Sequence, residues 1–115
     1  MPPGHPGCVP VDTRTLERVR QLLAERDDVE EKRMVGGRSF VVRGQLCCGV
    51  TGQGLVVRLG ADGVARAREE PHVRPLIMGG KEVAAFAVIA PDGYAEDEAL
   101  ARWVSRAVAV VEALA

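Results

Sequence analysis

The spacing of apolar residues predicts a helix at each end of the chain. The first stripe follows Asp12, a residue type that caps helix N-termini, and Val11 is placed to pack on the first turn as a hydrophobic staple. We expect this helix to end near residues 27–28. Its apolar positions recur at helical spacing and are Leu16, Val19, Leu22 and Leu23. A longer stripe marks the last helix and comprises Leu100, Trp103, Val104, Ala107, Val108, Val111 and Leu114.

Between these helices the hydrophobic pattern becomes shorter and partly alternating, which is typical of strands. Glycine-bearing connections of two or three residues separate the segments and favour tight hairpins. No connection is long enough for a parallel crossover, so we predict a four-stranded antiparallel meander. The four predicted strands are 29–35, 38–43, 46–51 and 55–59.

The second half of the chain adds a helix and a hairpin to this meander. Asp62 is a candidate cap for a short helix that runs through Glu69 and ends at Pro71. A brief strand at 76–78 then turns through two glycines into a firmer strand at 83–90. The predicted fold is therefore α+β, with an antiparallel sheet of five to six strands and helices packed on one face, in the order α-β4-α-(β)-β-α.

Length and composition fit one globular domain. The chain has 115 residues, of which 47% are hydrophobic and 27% charged. Residues 1–11 are rich in proline and glycine and lack the features of a signal peptide, so we predict a flexible tail followed by a single domain over 12–115. The longest apolar run, 83–90, is too short to cross a bilayer. These features indicate a cytoplasmic protein that does not bind membranes.

The predicted domain carries an ordered set of short motifs. They are KRMVGG at 32–37, Phe40, Gly44, CGV at 48–50, LVVRLG at 55–60, PHVRP at 71–75, Phe86, and 97–114 with its LARWV core. Over about residues 13–114 this set resembles the N-terminal domain of the TfoX/Sxy family. Two positions depart from that pattern, since Val35 replaces an aromatic residue and Arg43 replaces the asparagine often found before the hairpin glycine.

The resemblance implies an antiparallel α+β domain of the kind found in secretion-chaperone-like folds. Full-length members of the family regulate bacterial competence and carry a second, helical domain. The present chain stops at Ala115, directly after the last predicted helix, so we do not extend the competence role to it. The family supplies no catalytic residues to transfer.

Four basic or titratable residues form the candidate binding group. Prolines on both sides of His72 and Arg74 would fix a loop that presents an imidazole and a guanidinium to an anion or a partner carboxylate. Arg58 lies in a predicted strand on the face opposite its apolar neighbours, where it could join Arg33 and Arg74 in a small basic site. The competing interpretation makes these residues the polar surface of a loop and a sheet.

No catalytic, cofactor or metal site emerges from the sequence. The cysteines and the two histidines have no zinc-type spacing, and His5 and Cys8 fall in the predicted tail. The serines have no accompanying histidine and acid. Alternation along a strand predicts Cys48 in the core and Cys47 on the opposite face, unable to bridge one another and with Cys47 open to reaction.

We therefore expect a non-enzymatic bacterial interaction or regulatory domain that binds a protein partner or a second copy of itself. The alternative is a site for a small anionic ligand, conceivably catalytic, at His72 and Arg74. Nucleic-acid binding ranks third, because the net charge is −1 and only four residues are aromatic, at positions 40, 86, 94 and 103.

Overall fold

A computed structural model describes residues 12–34 and 36–114 of the chain. The predicted tail over 1–11 lies outside these residues. Within them the elements are, in order, helix α1 (Thr13–Leu22), strands β1 (Val29–Met34), β2 (Gly37–Val42), β3 (Gln45–Thr51) and β4 (Gly54–Arg58), helix α2 (Gly60–Ala67), strands β5 (Val73–Met78) and β6 (Lys81–Ile89), a 3-10 helix (Pro91–Tyr94), and helix α3 (Asp97–Leu114).

The strands form one six-stranded sheet in the order β1-β2-β3-β4-β6-β5, with every neighbouring pair antiparallel. The predicted α+β class with an antiparallel sheet is confirmed. Strand β6 pairs with β4 as well as with β5, so the last hairpin extends the meander and leaves β5 at the edge. The edges of the sheet are therefore β1 and β5.

The helices cover one face of this sheet. The buried apolar residues of α1, α2 and α3 all belong to a single core cluster, which also contains alternate strand residues such as Leu55, Val57 and Ile89. Two ion pairs join α1 and the segment after it to α3. Arg18 contacts Asp97 at 3.0 Å and Arg26 contacts Glu112 at 3.3 Å, so α1 and α3 run side by side in the same direction.

Helix α1 begins as predicted and ends earlier than predicted. The Asp12 carboxylate accepts a hydrogen bond from the Arg14 backbone N–H at 3.0 Å, which confirms the cap. The helix stops at Leu22 because the chain then tightens into turns, with the Leu23 N–H bonded to the carbonyls of Val19 and Arg20. The proposed staple residue, Val11, lies outside the described residues.

Helix α2 begins two residues before its predicted cap. Leu59, which is buried, occupies the N-cap position without a side-chain hydrogen bond, and Asp62 lies inside the first turn. The prediction that Asp62 caps the helix is therefore wrong. Gly60 has a φ of +75°, a conformation that lets the chain pass directly from β4 into the helix.

Strand β5 is longer than the sequence suggested. It starts at Val73, so Arg74 and Pro75 lie in a strand and not in a loop. Pro75 has no N–H to donate, and an edge strand tolerates it because half of the backbone groups there face away from the sheet. Gly79 and Gly80, with φ of +58° and +80°, make the two-residue turn into β6.

A bulge in β3 changes the predicted orientation of Cys47. Phe40 pairs with Cys48 and the next residue, Val41, pairs with Leu46, so Cys47 is an extra residue in its strand. Cys47 and Cys48 are consequently both fully buried in the same core cluster, while Leu46 packs on the other face. The expectation that Cys47 faces outward is wrong, and both thiols are free.

Candidate functional site

The face of the sheet opposite the helices, which we call the outer face, carries a second apolar cluster. Val56, Phe86 and Val88 form its centre and are 2%, 8% and 6% exposed. Val56 of β4 lies directly opposite Val88 of β6, so the cluster spans the middle of the sheet. Partly buried residues packed around it are Leu46, Leu76, Val83 and Ala85.

Arg58 closes one side of this cluster. It is the last residue of β4 and lies opposite Phe86 of β6. Its guanidinium carbon is 4.8 Å from the centre of the Phe86 ring, and its Nε donates a hydrogen bond of 2.6 Å to the Leu46 carbonyl. The prediction that Arg58 faces away from Leu55, Val57 and Leu59, which lie in the main core, is confirmed.

Arg74 lies on the other side of the same cluster. It pairs with Val88 across the β5–β6 ladder, and paired residues share a face. Arg58 and Arg74 therefore flank β6, two strand spacings and two residues apart, which corresponds to about 12 Å between Cα atoms. The Arg74 side chain is exposed and makes no hydrogen bond or ion pair within the described residues.

The structure separates Arg33 from these two arginines. Arg33 lies on β1, at the opposite edge from β5. It pairs with Arg38 of β2, which in turn pairs with Val50 of β3, and Val50 is buried in the core cluster beneath the helices. It therefore projects from the helix-covered face. Five strand spacings, about 24 Å, separate β1 from β5, so a single basic site containing Arg33, Arg58 and Arg74 does not form.

His72 occupies the turn before β5, where its backbone has a φ of +71°. Its carbonyl accepts a hydrogen bond of 2.8 Å from the Ala90 N–H, which fixes the start of the hairpin. A Cβ added to Gly93 would lie 2.9 Å from the His72 Cβ, so the two backbones pass close together. His72 thus has a structural role, because its backbone holds the start of β5 against the segment that follows β6.

Two exposed apolar residues at the end of β5 were missed by the sequence analysis. Ile77 and Met78 are 54% and 53% exposed. Successive strand residues point to opposite faces, so Met78 follows Arg74 and Leu76 onto the outer face while Ile77 points the other way. The alternation of Arg74, Leu76 and Met78 was the available signal, but the sequence analysis placed Arg74 in a loop.

An open cleft of about 530 Å³ lies elsewhere, where the start of α1 meets the 3-10 helix and the start of α3. Two of its charged side chains, Arg18 and Asp97, form an ion pair. The Arg18 Nε contacts Asp97 at 3.0 Å and its Nη2 donates to the Tyr94 carbonyl at 2.9 Å. Burial of Tyr94 raises the pKa of its phenol. None of the four predicted site residues lines this cleft.

Residues 12–34 and 36–114 contain no group of three or more His, Cys, Asp or Glu side chains arranged to hold a metal ion. The Ser39 hydroxyl is buried and donates to the Lys32 carbonyl at 3.3 Å. No helix among those the structure describes is long and apolar enough to cross a membrane.

The fold and the outer face define a small α+β domain whose sheet is covered by helices on one side and carries an arginine-flanked apolar cluster on the other. The protein-family model described as the TfoX N-terminal domain matches residues 21–111, a segment that contains all six strands of the sheet. The chain belongs to the TfoX N-terminal domain family. No significant match was found among curated proteins or solved structures.

Proposed function

We propose that this protein is a non-enzymatic interaction domain that binds a protein partner through the outer face of β4, β6 and β5. The observation that carries the proposal is the combination of Met78, which is 53% exposed, with the apolar cluster beside it and the two arginines around it. Arginine and large apolar side chains are enriched where proteins bind one another.

The edge strand β5 is poorly suited to bind a partner through its backbone, and this supports binding through side chains. A strand added along β5 would form backbone hydrogen bonds with its outward-facing groups, and Pro75 removes one of those donors. On the outer face, the exposed Met78 and the partly buried Leu76 can make side-chain contacts that do not depend on that donor. The proposal includes a regulatory role, which the family resemblance implies, in the bacterial cytoplasm, which the lack of signal-peptide features predicts.

The test compares two neighbouring substitutions in tagged full-length protein. Met78→Ser removes an exposed apolar side chain from the outer face, while Ile77→Ser removes one of equal exposure from the opposite face of the same strand. Proteins retained from a native, nuclease-treated lysate are quantified by mass spectrometry, and the mass of the purified protein in solution is measured by light scattering. We expect a stoichiometric polypeptide, or a second copy of the chain, that Met78→Ser loses and Ile77→Ser retains.

Two results would overturn the proposal. One is a monomeric protein that retains no polypeptide from the lysate. The other is a retained polypeptide whose recovery is equal for wild type, Met78→Ser and Ile77→Ser, because the partner would then bind elsewhere.

A further inference from the structure

Charge is distributed unevenly over the sheet in a way that restricts the partner. Strands β4, β5 and β6 contain three basic residues that project on the outer face. Arg58 and Arg74 were placed there above, and Lys81 follows because it pairs with Met78 across the hairpin. The same strands contain one acidic residue, Glu82, which pairs with Ile77 and so lies on the helix-covered side, where it contacts Arg68.

All charged residues on this half of the outer face are therefore basic, although the whole chain has a net charge of −1. Like charges across an interface are strongly unfavourable, whereas opposite charges select and orient a partner. From this charge complementarity, and resting on the proposed function of the outer face, we propose that the occupant is an acidic amphipathic helix of a protein partner, with apolar residues on Leu76 and Met78 and carboxylates toward Arg74 and Lys81.

The dimensions of the surface fit a helix. Beside Arg74 the surface spans two strand spacings, from β4 to β5, which is about 10 Å and close to the diameter of an α-helix with its side chains. Beside Met78 and Lys81 it continues on the β5–β6 hairpin alone. From Arg74 to Met78 the strand rises about 13 Å, which corresponds to between two and three helical turns. A helix satisfies its own backbone hydrogen bonds, so the donor missing at Pro75 carries no cost for it.

Nucleic acid fits this surface less well. Its recognition requires many phosphate contacts or exposed aromatic rings. The outer face of β4, β6 and β5 offers three cations, and its aromatic ring, Phe86, is 8% exposed beneath Arg58. Leu76 and Met78, which occupy the space between the cations, favour an apolar counterpart.

The test uses two labelled synthetic peptides of equal length with the same apolar positions at helical spacing. One carries glutamate and the other lysine at the flanking positions. Binding to the full chain is measured by fluorescence anisotropy at low and moderate salt. We expect saturable binding of the glutamate peptide that weakens with salt, and much weaker binding of the lysine peptide.

Charge reversal supplies the matched variants. The double variant Arg74→Glu, Lys81→Glu should weaken binding of the glutamate peptide by about ten-fold or more, because each contact changes from attraction to repulsion. Binding of the lysine peptide should become stronger, because its contacts change from repulsion to attraction. Arg66→Glu reverses an exposed charge on α2, on the helix-covered side, and should leave both affinities unchanged. Circular dichroism verifies that each variant is folded.

Three outcomes would overturn the inference and remain distinct from failure of the proposed function. Equal binding of the two peptides would show that the face does not select acidic partners. If the protein bound neither peptide, but Met78→Ser still lost the lysate partner, the partner on this face would have a different chemistry. Binding to vesicles of phosphatidylcholine and phosphatidylserine, without peptide binding, would identify a lipid surface.

Discussion

The guanidinium of Arg58 lies over the ring of Phe86, 4.8 Å from its centre, and its Nε donates to the Leu46 carbonyl on the neighbouring strand β3. One side chain thus connects β3, β4 and β6 on the outer face, where the described helices do not pack. It shields the aromatic ring and satisfies a carbonyl, so Arg58 has a structural role in addition to any role in binding.

Arg58→Ala should lower the free energy of unfolding by about 1–2 kcal/mol, because it removes a cation–π contact and a charged hydrogen bond. Arg74→Ala is the matched control on the same face, since Arg74 makes no such contact within the described residues, and it should change stability by less than about 0.5 kcal/mol. Urea denaturation followed by circular dichroism measures both. Equal effects of the two substitutions would contradict the structural role of Arg58.

Gly54 is required where β4 begins beside β6. It has a φ of +145°, and a Cβ at this position would overlap the Ile89 carbonyl oxygen. Gly54→Ala should therefore destabilise the protein by about 3 kcal/mol or more, combining backbone strain with a steric clash that the backbone cannot avoid.

Gly44→Ala provides the comparison for Gly54→Ala. Gly44 also has a positive φ, +80°, but a Cβ there would meet no atom within 4 Å. Its substitution should cost about 1 kcal/mol, from backbone strain alone. If both variants showed the same midpoint in urea, the close approach of Gly54 to Ile89 would be refuted.

Much of the fold could be predicted because local pattern and final environment agree. The alternation of Leu55 and Val57 with Val56 predicts the two faces of β4, and the helical stripe through Leu100, Trp103 and Val104 predicts the buried side of α3. In each case the periodicity of the surrounding sequence is enough to tell which face of the strand or helix a residue occupies.

The remaining features depend on contacts distant in the sequence. The bulge at Cys47 changes which face of the sheet that side chain points to, and the residue types around it do not signal the bulge. Arg33 is separated from Arg74 by the whole width of the sheet, because the last hairpin joins the meander beside β4, a placement that the sequence analysis did not determine. The sequence predicts a strand at 76–78 but does not determine that this strand lies at the edge of the sheet, which leaves Met78 exposed.

Glu31 should make stability depend on pH at the acidic end. Hydrogen bonds from Arg20, assisted by Arg38, outweigh partial burial and lower the pKa of Glu31 to about 2, from an ordinary value of 4.5. The folded state thus favours the carboxylate, so this stabilisation is complete above pH 4.5 and is lost as the pH falls toward 2.

Glu31→Gln should remove that part of the pH dependence. Between pH 5 and pH 2.5, the free energy of unfolding should fall less steeply in the variant than in wild type, as measured by urea titration at each pH. Glu30→Gln is the control on the adjacent residue. Its carboxylate is 71% exposed and lies 4.0 Å from Lys32, so we expect a wild-type slope. A wild-type slope in Glu31→Gln would refute the ion-pair network.

The buried cysteines should resist modification in the folded protein. The interaction between the two neighbouring thiols lowers the pKa of Cys47, with further help from the charges of Arg26 and Arg58. The same interaction and burial raise the pKa of Cys48. Both side chains are fully buried, so Cys47 is shielded from reagents even though the pKa of its thiol is lowered.

We expect the peptide that contains Cys47 and Cys48 to remain unmodified by iodoacetamide under native conditions and to be modified at both positions in urea, with mass spectrometry locating the label. Thr51→Cys is the control, since Thr51 is in the same strand and partly exposed, and the thiol introduced there should be alkylated in the folded state. If Cys47 were labelled under native conditions as rapidly as the thiol introduced by Thr51→Cys, then β3 would lack the bulge and Cys47 would face solvent after all.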